Sequence, residues 1–334
     1  MQNYILGIDL GGTKVNAAVL DADNRVVGRA RAKTRAWRDD EEVFNTIART
    51  GHKAIEKARF DLAHLEAIGI GTPGPIDIDS GYIIEAANLK FKNFPLGPRL
   101  SEEFGRPVIV DNDVNAGVYG EFKAGAGRGA TEVVGMFIGT GIGGGLIING
   151  ALYHGFSKNT GEVGHTIIKA GGPRCGCGNR GCLESLASRT AMTRDIRKAI
   201  KQGHKTSVAS LLKKNTDTLT GQALREAYRA GDRLVLSTVH RAAKFIGIGI
   251  GNMVNLFGPE VFVLGGGVIE AMDDDFIARI DRAARKVALN SGERDFKIVR
   301  SELGDDAGVI GAALLAREAL NRQSGKKLAV AGGE

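Results

Sequence analysis

The chain has 334 residues, of which 43% are hydrophobic and 25% charged, with a formal net charge of +7. That length predicts two domains rather than one small core, and the composition is that of an ordinary soluble globular protein. No apolar run suggests a transmembrane helix, and the 48 glycines fall in short runs rather than in a repeat, which excludes a collagen-like chain or a linker.

Residues 4–10 (YILGIDL) read as a buried strand, GGTK as a turn, VNAAVLD as a returning strand and RVVGRARAKT as a third. Helical periodicity follows over 40–59, then a strand at 65–72 (LEAIGIGT) that ends in the loop PGPIDIDSG. Residues 106–110 (RPVIV) predict a strand leading into DNDVNAGVYGEFKAGAG, a loop that continues as a helix. The pattern then restarts: 132–138 is apolar, GTGIGGG turns, and LIINGALYHG returns. A duplicated β-meander predicts two related domains. Residues 186–228 read as largely helical and surface-exposed, and 232–255 as a long helix with an apolar stripe. A strand at 260–264 runs into GGGVIEA, a last strand lies at 296–301, and a C-terminal helix spans 308–320. The final residues, QSGKKLAVAGGE, are expected to be loose.

All three cysteines, Cys175, Cys177 and Cys182, lie within eight residues, just after His165. Three thiolates and an imidazole suit a closed tetrahedral zinc site, and four protein ligands leave no position for water, so a structural role is expected. The stretch is too polar and glycine-rich for core thiols, and an odd count fits a disulfide poorly. Glu162 and Glu184 bracket the cluster. Three glycine turns each follow an apolar strand: Gly11, Gly12, Thr13 and Lys14; then Gly139, Thr140, Gly141 and Gly143; then Gly265, Gly266 and Gly267. Such turns let backbone N–H groups converge on phosphate, although any one of them alone would be read as a tight turn. Asp9, directly before the first turn, is placed to face hydrated Mg²⁺, or is simply a solvated turn aspartate. Val110, Asp111, Asn112 and Asp113 end a strand. An aspartate there could accept a hydroxyl proton in phosphoryl transfer, whereas an Asp or Asn could instead cap the following helix. Asn88 offers an amide suited to sugar hydroxyls.

Together, I-D-L-G-G-T-K, G-T-G-I-G-G-G, V-F-V-L-G-G-G-V and G-E-V-G-H followed by C-G-C-G-N-R-G-C-L-E resemble the ROK family of sugar kinases and repressors, in its bacterial glucokinase branch, over almost the whole chain. The resemblance implies an α/β, actin-like ATPase (ribonuclease H-like) fold with two domains around a cleft and a zinc knuckle. Residues 1–119 and 309–334 would form the smaller domain, completed by the C-terminal helix, and 120–308 the larger. It further implies ATP with Mg²⁺ on the glycine turns and Asp113 as catalytic base. Asn88, Asn112, Asp113, Glu162, His165 and Glu184 would line the sugar pocket, and His165, Cys175, Cys177 and Cys182 would hold zinc.

The expected function is phosphorylation of the 6-hydroxyl of glucose. Mannose, N-acetylmannosamine, N-acetylglucosamine, fructose and allose are alternatives, as is polyphosphate in place of ATP. A sugar-sensing repressor is the non-enzymatic alternative, but with the first phosphate loop at Asp9 no room is expected for a preceding DNA-binding domain. Basic residues are spread out, with a modest concentration at 189–214 and no aromatic–basic interleaving, so neither nucleic acid nor membrane is expected as a partner. The N-terminus reads as a strand rather than a signal peptide, which predicts a cytoplasmic protein. A homodimer or homotetramer follows from the resemblance.

Overall fold

The first apolar run is strand β1 (Tyr4–Leu10), and the glycine turn after it returns the chain as β2 (Lys14–Leu20), followed by β3 (Val26–Lys33). In the computed structural model, which describes residues 3–34, 39–86, 89–213, 218–289 and 295–331, these strands belong to the first of two units. The first unit comprises Met1–Arg128, His154–Thr160 and Asp305–Glu334; the second comprises Gly129–Tyr153 and Gly161–Gly304.

In the first unit, β4 (Leu65–Thr72) pairs in parallel with β1. A three-stranded antiparallel sheet follows, of β5 (Ile76–Asp77), β6 (Tyr82–Ala86) and β7 (Phe91–Phe94). β8 (Val108–Asn112) then completes a main sheet of order β3-β2-β1-β4-β8. The helix Asp40–Ala58 starts where the Asp39 side chain accepts from the Glu42 N–H, and buries Val43, Ile47 and Ala54. Gly7 and Gly69 are dictated by packing. A Cβ on Gly7 would stand 2.0 Å from the Val309 carbonyl oxygen, and one on Gly69 1.8 Å from that of Ala312. The helix Ala307–Ala331 therefore lies directly on the backbone of β1 and β4.

The second unit repeats the arrangement. Strands β9 (Val133–Ile138), β10 (Ile142–Ile148), β11 (Ala151–Leu152), β12 (Val261–Gly265) and β13 (Lys297–Arg300) form a sheet of order β11-β10-β9-β12-β13. In each sheet three strands form an antiparallel meander and two join in parallel. The helix Arg233–Phe257 is long and apolar enough to cross a membrane by length and composition, contrary to the sequence reading, but 56% of its most apolar stretch is buried within the protein. Val235, Val239, Ile246 and Ile250 are wholly buried in the core of this unit, so it is a core helix.

Several local expectations change. The loop PGPIDIDSG contains β5, part of a small sheet whose strands are too short and too polar to carry a periodic signal. No loop separates β8 from the next helix: β8 runs through Asp111 and Asn112, and the helix Asp113–Ala124 starts at once. The second glycine turn spans only 139–141, because Gly143 lies inside β10 opposite Phe137. Among the described residues of 186–228, helices span Arg189–Lys201, Ala209–Lys213 and Gly221–Arg229, and the region is not surface-exposed as a whole. Met192, Ile196 and Leu224 face the core from one apolar side of their helices, and Val208 and Leu219, between helices, are buried with them. The C-terminal helix continues to Ala331, beyond the predicted 320.

Candidate active site and metal centre

In the first unit, strand register gathers polar residues at one end of the sheet. Asp9 pairs with Asn16 on β2 and with Gly71 on β4, and Gly71 pairs with Asp111 on β8. The C-terminal ends of parallel strands are where α/β sheets present ligand-binding groups. Asn16 Nδ2 donates to Asp9 Oδ2 at 3.0 Å. Burial, opposed by this bond and by the Lys14 charge, pushes the Asp9 carboxyl above its ordinary value. The Gly11–Lys14 turn is closed by the Gly11 N–H on the Lys14 carbonyl (2.9 Å), and Gly12 and Thr13 are exposed. Lys14 Nζ reaches Asp305 Oδ2 (3.0 Å), which Arg31 Nη2 also contacts (3.2 Å).

The end of β8 is held tightly. Asp111, almost fully buried, accepts from the Asn112 N–H (2.7 Å), from Asn115 Nδ2 (3.1 Å) and from His154 Nε2 (2.7 Å). Asn112 is the N-cap: its Oδ1 accepts from the Val114 and Asn115 N–H groups (2.9 and 3.2 Å), which leaves its Nδ2 as a donor. Asp113 is the first helical residue, half-buried, with Oδ1 accepting from the Val114 N–H (2.9 Å). Asn88 lies outside the described residues.

In the second unit, a ring nitrogen of His165 and the Sγ atoms of Cys175, Cys177 and Cys182 all lie within 4.8 Å of one another. Cys175 Sγ is 3.6 Å from His165 Nδ1, and Cys177 Sγ is 3.7 Å from Cys182 Sγ. A tetrahedron with zinc–sulfur arms of about 2.3 Å has edges of about 3.8 Å, so the four atoms fit one ion, whereas 3.7 Å is far beyond a disulfide bond. The knuckle folds back on itself through the Cys175 N–H on the Asn179 carbonyl (2.8 Å), and Gly181 holds a left-handed φ of 80° where a Cβ would stand 1.7 Å from the Lys169 carbonyl oxygen. Without an ion, burial pushes the Cys175 thiol up to about 12 and also raises Cys182. Cys177 is lowered, chiefly by the Asn179 backbone N–H. His165 Nε2 lies 3.9 Å from Glu162 Oε2.

Glu184 ties this cluster to the second glycine turn. Its Oε1 is 3.7 Å from Cys175 Sγ, and its Oε2 accepts from the Ile142 N–H at 3.0 Å. The turn is closed by the Gly139 N–H on the Gly141 carbonyl (2.9 Å). Thr140 accepts at its carbonyl from Thr190 Oγ1 (2.8 Å) and at its hydroxyl from Arg189 Nη2 (2.7 Å). Gly265 and Gly266 press on β9: a Cβ on either would stand 2.8 Å from Phe137 Cε1 or the Ile138 carbonyl oxygen, respectively. Gly267 begins the short helix Gly267–Ala271.

Comparison with known proteins matches residues 5–319 to the model described as "ROK family". The chain belongs to the ROK family. As a ROK protein it is 36% identical over 321 residues to a glucokinase of Halalkalibacterium halodurans, covering 95% of this chain and 96% of that one. It superposes with a TM-score of 0.79 on a ROK family glucokinase from Streptomyces griseus in complex with glucose and AMPPNP, at 32% identity, covering 95% and 100%. It is also 32% identical to a xylose repressor of Caldicellulosiruptor bescii, covering 92% of this chain but 76% of the repressor. The α/β units with their repeated sheets are those of the actin-like ATPase fold.

Sequence reasoning missed four side chains that the fold brings to these groups. They are Asn16 on Asp9, Asp305 on Lys14, His154 on Asp111 and Arg189 on Thr140. Asn16 alternates in register with Asp9 across the first hairpin, which a hairpin alignment could have found. The other three meet their partners across long sequence separations and leave no local signal.

Proposed function

We propose that the protein is an ATP-dependent hexose kinase, with glucose as the first candidate substrate and its 6-hydroxyl as the phosphoryl acceptor. The observation that carries this reading is the end of β8: a half-buried carboxylate, Asp113, beside an amide donor, Asn112, on a strand end made rigid by Asp111. The whole-chain likeness to a glucokinase with bound glucose and AMPPNP supports it.

The Asp113 carboxylate takes the proton of the primary hydroxyl as that oxygen attacks the γ-phosphorus. The new O–P bond forms as the bond to the β,γ-bridging oxygen breaks, and ADP leaves. The Asn112 amide, Glu162, the free Nε2 of His165, and Glu184 are the candidate sugar contacts, with Asn88 a fifth. Backbone N–H groups of the Gly11–Lys14 and Gly139–Gly141 turns, with Lys14, receive the phosphates. The Asp9 carboxylate is the group that would face Mg²⁺, which supplies charge neutralisation on the phosphates. Zinc on His165, Cys175, Cys177 and Cys182 would be structural. It would orient the His165 ring and, through Cys175 and Glu184, brace the second turn.

An ADP-release assay with Mg²⁺–ATP against glucose, mannose, fructose, allose, N-acetylglucosamine and N-acetylmannosamine tests this directly. Glucose-dependent turnover exceeding that with the other sugars is expected. Preference for another sugar keeps the chemistry and reassigns the substrate, and no turnover with any sugar refutes the kinase. The xylose-repressor relative favours a second reading, a sugar-binding regulator, which predicts sugar binding without ADP release.

A further inference from the structure

Arg189 follows the Ser188 N-cap as the first residue of the helix Arg189–Lys201. Its main-chain N–H donates to the Gly139 carbonyl at 3.0 Å, and its Nη2 donates to Thr140 Oγ1 at 2.7 Å. A Cβ placed on Gly267 would stand 4.0 Å from its Nη1. The guanidinium is thus bonded to the second glycine turn and lies near Gly267, in the same unit.

Its charge is not otherwise matched. Among the described residues no carboxylate bonds to Arg189, and its Nε is shut off from solvent with no hydrogen-bond partner. A guanidinium offers five donors, and a desolvated one without a partner is costly. The arrangement has the form of a donor set waiting for an anion. Arginine's planar fork matches phosphate oxygens in a bidentate manner, and the capped first turn of a 13-residue helix adds partial positive charge at the same place.

We propose that Arg189 is a phosphate ligand for the nucleotide, binding its α- and β-phosphates between the Gly139–Gly141 turn and Gly267 while fixing the Thr140 rotamer. The proposal rests on the kinase reading above. Occupation by phosphate supplies an acceptor for Nη1, which has no hydrogen-bond partner among the described residues. The same contact makes affinity depend on the phosphate chain rather than on the adenine.

The test compares wild type, Arg189→Lys and Arg189→Gln by calorimetric binding of ADP and of adenosine, and by steady-state kinetics with ATP and sugar varied separately. In Arg189→Gln, ADP affinity falls and the KM for ATP rises by roughly 10- to 100-fold, the scale of a charge-assisted hydrogen bond. Adenosine affinity, the KM for sugar and zinc content stay at wild-type values, and Arg189→Lys recovers part of the loss. Unchanged ADP affinity in Arg189→Gln overturns the proposal, and so does an equal loss for ADP and adenosine, which would mark Arg189 as a brace for the turn only. A wild-type protein that binds no ADP and releases none with any sugar sinks the kinase reading and this inference with it. That outcome is separate from failure of the variant alone. Should Arg189→Gln fold poorly, the ADP-to-adenosine affinity ratio of Arg189→Lys decides the matter.

Discussion

Asn112 has two separable jobs, and a pair of substitutions takes them apart. Its Oδ1 caps the helix Asp113–Ala124 through two N–H groups, at 2.9 and 3.2 Å, while its Nδ2 remains free to donate to a sugar hydroxyl. Asn112→Ser keeps a capping oxygen and deletes the amide donor; Asn112→Ala deletes both. Loss of the cap costs about 1 kcal/mol, which for a unit of this size lowers Tm by roughly 2–4 °C. Loss of one hydrogen bond to sugar costs about 0.5–1.5 kcal/mol, or roughly a 2- to 12-fold rise in the KM for sugar. Asn112→Ser is therefore expected to melt close to wild type and to show only the KM change, and Asn112→Ala to show both. Differential scanning calorimetry and the coupled ADP assay measure the two effects independently. A serine variant with wild-type KM for sugar refutes the amide contact, and an alanine variant with unchanged Tm refutes the capping role.

Asp113→Asn retains an oxygen to accept from the Val114 N–H, so the fold survives, while kcat falls by about 10²- to 10⁴-fold; a smaller loss in the ADP assay removes Asp113 as the base. Zinc should bind at one ion per chain by elemental analysis, and Cys182→Ala should abolish it and weaken sugar binding together. Zinc uptake must displace a proton from Cys175, whose thiol is pushed up to about 12, so uptake releases protons and the apparent affinity strengthens as pH rises. A chelator competition giving equal affinity at acidic and mildly alkaline pH contradicts this. Burial raises the Asp9 carboxyl, so the folded state favours the protonated form. The resulting penalty is absent at low pH, appears as pH rises through the unfolded-state value and is full above the folded-state value. Asp9→Asn should thus raise Tm at neutral pH in the absence of Mg²⁺ while lowering kcat; a lower Tm refutes the direction.

Much of the site was legible because its signals are local. The cysteines and His165 lie within one short segment, so ligand type and spacing alone pointed to a candidate metal site, and the four side chains do converge. The strand-then-glycine pattern located the turns at 11–13 and 139–141 and the strand-to-helix junction at Gly266. It overshot at Gly143, because a glycine inside a buried strand and one in a turn look alike in composition. The glycine there continues a run whose next member, Gly144, is set by packing: a Cβ on Gly144 would stand 2.5 Å from Val163 Cγ2. The loop expected at Asp111 and Asn112 was likewise a strand end, since polar residues that hydrogen-bond within the fold resemble solvated ones in sequence.

The sequence by itself determined the two β-meanders and marked out the cluster of His165, Cys175, Cys177 and Cys182, because hydrophobic period, glycine turns and short spacings are properties of neighbouring residues. Only the tertiary structure decided which charges those groups meet. Asp305 reaches Lys14 from 291 residues away, and His154 reaches Asp111 from 43. Arg189, at the start of a helix, reaches Thr140 in the second turn from 49 residues along the chain. Such pairs form when packed sheets and helices bring distant backbone together, and no periodicity along the chain records where that happens.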